Sequence, residues 1–174
     1  MFKFSAGEKL VIRIFQYARE VNAKRYNRNF RNNDLGNHRI LREAVGKLGE
    51  FGACKVYGGV PDLELRENGT FYFDHDLNPG VHVKTCSFQE RARSDSWTFD
   101  KKDPIVKSPA DHERVILTYA DINEEKSCGE VEVVGYVMAK DLVDKYVPCR
   151  SPTMSHKCAI LRADIEDLIV KELT

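Results

Sequence analysis

The sequence holds no long apolar run. Stretches such as Leu10–Ile12 and Ile14–Phe15 are broken by charges well short of the roughly 20 residues a bilayer span needs, which excludes a membrane protein of the helical kind. Met1-Phe2-Lys3-Phe4-Ser5 is not the apolar stretch of a secretory leader, so a cytoplasmic protein is expected. Cysteine is scarce and unpaired. There are five, an odd number, with no C-x-x-C pair, which argues against a disulfide framework and for a reducing compartment. Net charge is absent too: 27 Lys+Arg balance 27 Asp+Glu. Internal repeats and low-complexity segments are also missing, which excludes solenoids and disordered tails as its main architecture.

What is present suits one folded domain spanning 1–174. Nine Phe and seven Tyr supply enough burial to exclude disorder as the main state, and the length supports one core. The zero balance hides an uneven distribution. Residues 22–42 carry Lys24, Arg25, Arg28, Arg31, Arg39 and Arg42 against one acid, Asp34, together with six Asn. That segment is a candidate phosphate-contacting surface, and equally the solvated end of a helix and its loop.

Ser5-x-x-Glu8 has the form of a capping box, and Leu10, Val11, Ile14, Ala18 and Val21 follow on one helical face, so a first helix is expected from about Ser5. A second is expected from about Asp34 to Tyr57, with Leu41, Val45, Leu48, Phe51 and Val56 as its apolar stripe. Its other side groups Gly46, Gly49 and Ala53 around Glu50. Each helical Gly costs about 1 kcal/mol relative to Ala, so the cluster predicts close approach of another backbone. Gly58-Gly59-Val60-Pro61 ends the helix. Two β-rich runs, Thr70–Leu77 and Val81–Phe88, flank Asn78-Pro79-Gly80 as in a hairpin. Arg114–Asp121 and Glu130–Met138 read as further strands, Ala139–Tyr146 as a short helix, and Ile160–Leu173 as a final amphipathic helix with Leu161, Ile165, Leu168 and Ile169 inward. The fold class is mixed α/β, a central sheet flanked by helices.

Side chains alternate along a strand. With the hairpin closed at 78–80, Asp76 falls opposite His82 and Asp74 opposite Lys84, so two carboxylates, an imidazole and an ammonium share one face. Hard divalent cations take carboxylate oxygens, and borderline ones accept imidazole. A neighbouring Lys stabilises developing negative charge, and the set suits metal-assisted hydrolysis of a phosphodiester. The same residues are also compatible with a surface hairpin carrying an ordinary cross-strand Asp–Lys pair. A separate group, Cys149, His156 and Cys158 with Cys128 as a fourth ligand, matches no common zinc spacing, and small buried thiols are the favoured reading of it. Trp97, the only Trp, is assigned to packing rather than to base stacking.

Gly49-Glu50-Phe51, Asp76-Leu77 and His82-Val83-Lys84-Thr85 together resemble the core of PD-(D/E)XK, or restriction-endonuclease-like, nucleases, in the flavour of small phage and restriction enzymes. Ser96–Phe99, Asp103–Val106 and 135–142 follow in the same order, so the resemblance covers about residues 40–145. It implies a Mg2+- or Mn2+-dependent DNA endonuclease of a prokaryotic or phage-infected cell. Asp76 would be the bridging acid (Asp74 the second choice and Asp62 the third), Lys84 the catalytic lysine, Glu50 a helical ligand or water-holding group, and the Val83 carbonyl a further ligand. Restriction-like enzymes are often dimers, so a homodimer is an expectation of the resemblance. In one place the chain departs from the pattern: His82 stands where Glu or Asp is usual. Imidazole still ligates Mn2+, Fe2+ or Zn2+ and, less readily, Mg2+. Two alternatives therefore stay open, an inactive nucleic-acid-binding protein on the same fold and a zinc-stabilised interaction protein.

Overall fold

The computed structural model describes residues 2–25, 33–59, 61, 80–149 and 154–171. Within them the chain is mixed α/β. A four-stranded sheet is ordered β1-β5-β4-β2, formed by Phe2–Ala6 (β1), Cys128–Met138 (β5), Arg114–Asn123 (β4) and Val81–Cys86 (β2). β1 and β4 run antiparallel to β5, and β2 runs parallel to β4. Two long helices, Glu8–Arg25 (α1) and Asn33–Tyr57 (α2), cover one face. The other face packs on a second antiparallel sheet, β3-β7-β6, made by Ser96–Asp100 (β3), Lys157–Leu161 (β7) and Val147–Pro148 (β6). Two short helices, Phe88–Arg93 (α3) and Pro104–Lys107 (α4), flank β3 in the chain. No described helix is long and apolar enough to cross a membrane.

The layers follow from strand alternation. On β4, Val115, Leu117 and Tyr119 point to the second sheet and join Trp97, Phe99, Ile105 and Ile160 in one buried cluster. Ile116, Thr118 and Ala120 point to the helices. Trp97 is 1 % exposed, and its Nε1–H donates to the Thr118 carbonyl at 3.0 Å, so this indole is a packing group, as expected.

Several expected elements stand where the periodicity placed them. α2 runs to Tyr57, and β4 and β5 cover the two later strand predictions. Gly58, at φ +79°, ends α2 with its N–H on the Cys54 carbonyl. The glycine side of α2 does meet another element. A β-carbon on Gly49 would stand 2.0 Å from Thr85 Oγ1, and the Thr85 hydroxyl reaches the Gly46 carbonyl at 3.5 Å. The expected apolar stripe is only partly inward: Leu48 is buried, whereas Leu41 is exposed.

Other expectations are corrected. Ser5 caps no helix. It lies in β1 opposite Glu130, and α1 starts at Glu8, with the Gly7 carbonyl accepting from the Leu10 and Val11 N–H groups. Phe2 and Phe4, alternating with Lys3 and Ser5, carry the period of a strand. The final amphipathic helix is absent among the described residues. Residues 157–161 form β7 against β3, and 3₁₀ turns at Arg162–Asp164 and Glu166–Leu168 lead to a bridge between Val170 and Tyr136. Ile165 and Ile169 are still buried. Ala139–Leu142 is a 3₁₀ turn rather than an α-helix. The strand predicted at Val81–Phe88 stops at Cys86, where Ser87 caps α3. Its expected hairpin partner, 70–77, lies outside the described residues, as do Asp62, Asp74 and Asp76.

Candidate functional site

β2 is the last strand of the large sheet among the described residues. Its odd-numbered side chains face α2: Val83 packs with Ala53, Ile116 and Val133, and Thr85 sits under Gly49. Its even-numbered side chains, His82, Lys84 and Cys86, therefore face the second sheet. His82 and Lys84 are brought together on one face, as alternation required.

Each has a carboxylate beside it that the sequence reading missed. His82 Nε2 lies 3.4 Å from Glu113 Oε1 in the turn before β4, with side-chain exposures of 16 % and 15 %. Lys84 Nζ lies 3.7 Å from Asp103 Oδ2 and 5.2 Å from the centre of the Phe99 ring. Asp103 is held in place because its other oxygen, Oδ1, accepts the Ile105 N–H as the cap of α4. Asp103-Pro104 is a legible helix start, so α4 itself was foreseeable. Its approach to Lys84 was not, because no local pattern encodes which strand a cap will meet. Tyr146 stacks edge-on against Phe99, with ring centres 5.2 Å apart, and its hydroxyl is buried without a partner among the described residues. Burial, with Cys158 and Asp103 nearby, pushes that phenol well above its usual range.

Glu50 is placed differently. It rises from α2, on the layer that covers Val83 and Thr85, and forms an ion pair with Lys47 at 2.5 Å. Lys47 is itself buried and lies over the Tyr17 ring at 4.8 Å. Glu50, expected as a ligand reached from the helix, thus stands on a different side of β2 from His82 and Lys84. The helix takes the odd-numbered side of β2, and the imidazole and ammonium take the even-numbered side. Glu50 and Lys84 nevertheless line one groove of about 1250 Å³ that wraps the end of β2, with Arg42 on its α2 wall. Ordinary small-molecule pockets span about 300–1,000 Å³, so the groove has room for a larger ligand. The negative charge of Glu50 also acts on Cys54, one turn later, whose thiol is pushed up to about 11 mainly by burial.

Of the basic segment, Lys24 and Arg42 are exposed and Arg39 is half-buried. Arg25 ends α1, while Arg28 and Arg31 lie outside the described residues. Val83, whose carbonyl was an expected ligand, is 7 % exposed on the helix-facing side.

Among the described residues, no three of His, Cys, Asp and Glu gather as a metal-binding group. Cys128, Cys149, His156 and Cys158 are all described, so the zinc set is not assembled. β7 holds Cys158 inside the second sheet, with its Sγ toward the Phe99 carbonyl, and Cys128 begins β5 of the other sheet, exposed.

No family model matches this chain, and neither a curated protein nor a solved structure is significantly similar to it.

Proposed function

We propose that this chain is a divalent-metal-dependent deoxyribonuclease, a phosphodiester hydrolase on a restriction-endonuclease-like fold, with Mg2+ or Mn2+ as its cofactor. One observation carries the reading: His82 and Lys84 stand two residues apart on the same half-buried face of β2, with a fixed carboxylate beside the ammonium. A side chain that only solubilises a strand has no need of such a setting.

The donor chemistry fits a hard-to-borderline cation. His82 would supply an imidazole, and Asp76 and Asp74, which lie outside the described residues, would supply oxygens. When bound, the cation supplies Lewis acidity and a water of lowered pKa. Lys84 then has two uses, to draw a proton from the attacking water or to neutralise charge developing on the phosphoryl oxygens. Asp103 and Phe99 restrict where its Nζ can sit, which lowers the cost of orienting it. Arg42, exposed on the groove wall, with Lys24 and Arg39, would hold the phosphate backbone. Those contacts give affinity and register but no sequence preference.

Incubation of the protein with duplex DNA and Mn2+ or Mg2+ tests this. Wild-type protein should cut, and Lys84→Ala should lose about 10²–10³-fold in rate, the usual cost of removing one charge-stabilising group. Cutting that survives Lys84→Ala would overturn the mechanism. Absence of cutting with retained salt-sensitive binding would establish instead a binding protein on the same scaffold.

A further inference from the structure

We infer that the groove around the end of β2 takes a single strand of nucleic acid, held between Arg42 on one wall and Arg93 and Lys157 on the other. This rests on the nuclease reading and names the form of its substrate: duplex DNA would be engaged where its two strands part.

The cations come from separate layers. Arg42 stands on α2, over one face of the large sheet, whereas Arg93 ends α3 and Lys157 begins β7, in the layer on the other face. All three line the groove with Lys84, which sits on the strand between the layers. Arg42 and Arg93 are exposed and Lys157 is half-buried, and none of the three has an ion-pair partner among the described residues. The acids on the lining are disposed otherwise. Glu50 is tied to Lys47. Asp121 and Glu130 stand opposite each other in the β4–β5 pair, and the charge of Glu90 reaches Asp121. β2 runs parallel to β4 with Lys84 beside Leu117, so Asp121 lies farther along the sheet by about 13 Å, at roughly 3.3 Å per residue. A phosphate chain is attracted at the Lys84 end and repelled at the Asp121 end.

Size selects the strand. A B-form duplex occupies roughly 1000 Å³ per base pair, about 20 Å across and about 3.4 Å along its axis. The groove, at about 1250 Å³, has room for little more than one such pair. A single nucleotide is a drug-sized ligand needing on the order of 300 Å³, so the same space takes about four of them. Phe88 lines the groove as well, half-buried against the Tyr119 ring with centres 6.3 Å apart. Proteins that hold single strands combine a cationic track with such a ring, because unpaired bases stack on it, whereas the bases of a duplex are already stacked on one another.

Binding measured without a metal tests this. In EDTA, fluorescence anisotropy of a short labelled DNA strand should show affinity about tenfold higher than for the same strand annealed to its complement. Arg93→Ala and Lys157→Ala should each reduce the slope of log affinity against log salt by about 0.7, the single-strand value per phosphate contact. Lys107→Ala, exposed on α4 and off the groove lining, should leave the slope unchanged. Phe88→Leu should weaken strand binding several-fold at an unchanged slope, since stacking releases no counterions. Melting temperatures near that of wild type show that each variant is folded. Equal or tighter binding of the duplex, or wild-type slopes in both Arg93→Ala and Lys157→Ala, overturns the inference, while duplex cutting that needs Lys84 would still leave the nuclease reading standing. Strand binding with the expected slopes, but no cutting with Mg2+ or Mn2+, supports the groove assignment and removes the nuclease reading instead.

Discussion

Gly49 approaches Thr85 so closely that α2 can lie on the sheet only because position 49 has no side chain: a β-carbon there would stand 2.0 Å from the threonine Oγ1 and 2.6 Å from that of Thr118. The contact decides which half of β2 the helix covers. Val83 and Thr85 go under α2, and His82 and Lys84 are left to the opposite face.

Two glycines three residues apart should therefore respond in opposite directions to Ala. Gly46 has nothing within 4 Å of a would-be β-carbon, so Gly46→Ala should stabilise by about 0.5–1 kcal/mol through helix propensity alone. Gly49→Ala should destabilise by about 1–3 kcal/mol, the usual cost of overpacking. Thr85→Ala added to Gly49→Ala should return part of it, since Thr85 supplies two of the three nearest atoms. Urea unfolding of the four proteins measures this, and a stabilising Gly49→Ala would mean that α2 does not sit on the sheet here.

Arg42 is exposed on the wall of the groove that Lys84 also lines. If it contacts a phosphate, Arg42→Ala should weaken duplex binding about equally for all sequences and reduce the slope of log affinity against log salt by about one. Arg13→Ala, on an exposed stretch of α1 away from the groove, should leave the slope unchanged. Equal slopes for wild type and Arg42→Ala would remove this residue from the interface.

Glu166 is held well below the ordinary carboxylate range, at about 2, first by the Arg162 guanidinium and then by Lys171. Its ion pairs lie at 2.7 Å and 3.0 Å. A depressed folded-state value means the carboxylate contributes stability above the unfolded value of about 4.3, and that this contribution is lost as pH falls toward 2. The melting temperature of wild type should exceed that of Glu166→Gln near neutrality, and the gap should close between about pH 5 and pH 2. A gap independent of pH would show that the pair contributes through packing alone.

The thiols should separate cleanly on alkylation. Cys86 is pushed up to about 12 and Cys54 to about 11, in both cases chiefly by burial, and the thiolate is the reactive form. Cys128 is exposed. Brief iodoacetamide treatment near pH 8, read by mass spectrometry, should label Cys128 while Cys54 and Cys86 stay unmodified until urea is added. Early labelling of Cys86 would mean that the layer between the two sheets opens readily.

What the sequence determined by itself was whatever depends on neighbours along the chain. The 3.6-residue rhythm and the terminal glycines placed α2, while apolar runs placed β4 and β5. The two-residue period put His82 and Lys84 on one face of a strand before any fold was known. Where two periods compete, local reading failed. Phe2–Ala6 and Lys157–Leu161 became strands because partners, β5 and β3, were available to complete their backbone hydrogen bonds, and such partners leave no local trace. Only the tertiary structure decided which face of β2 the helices cover, and so that Glu50 and Lys84 come from different layers. It alone brought Glu113 to His82 and Asp103 to Lys84. A contact across 31 positions depends on strand register and layer order, which are set by burial of the whole chain and not by the residues that end up touching.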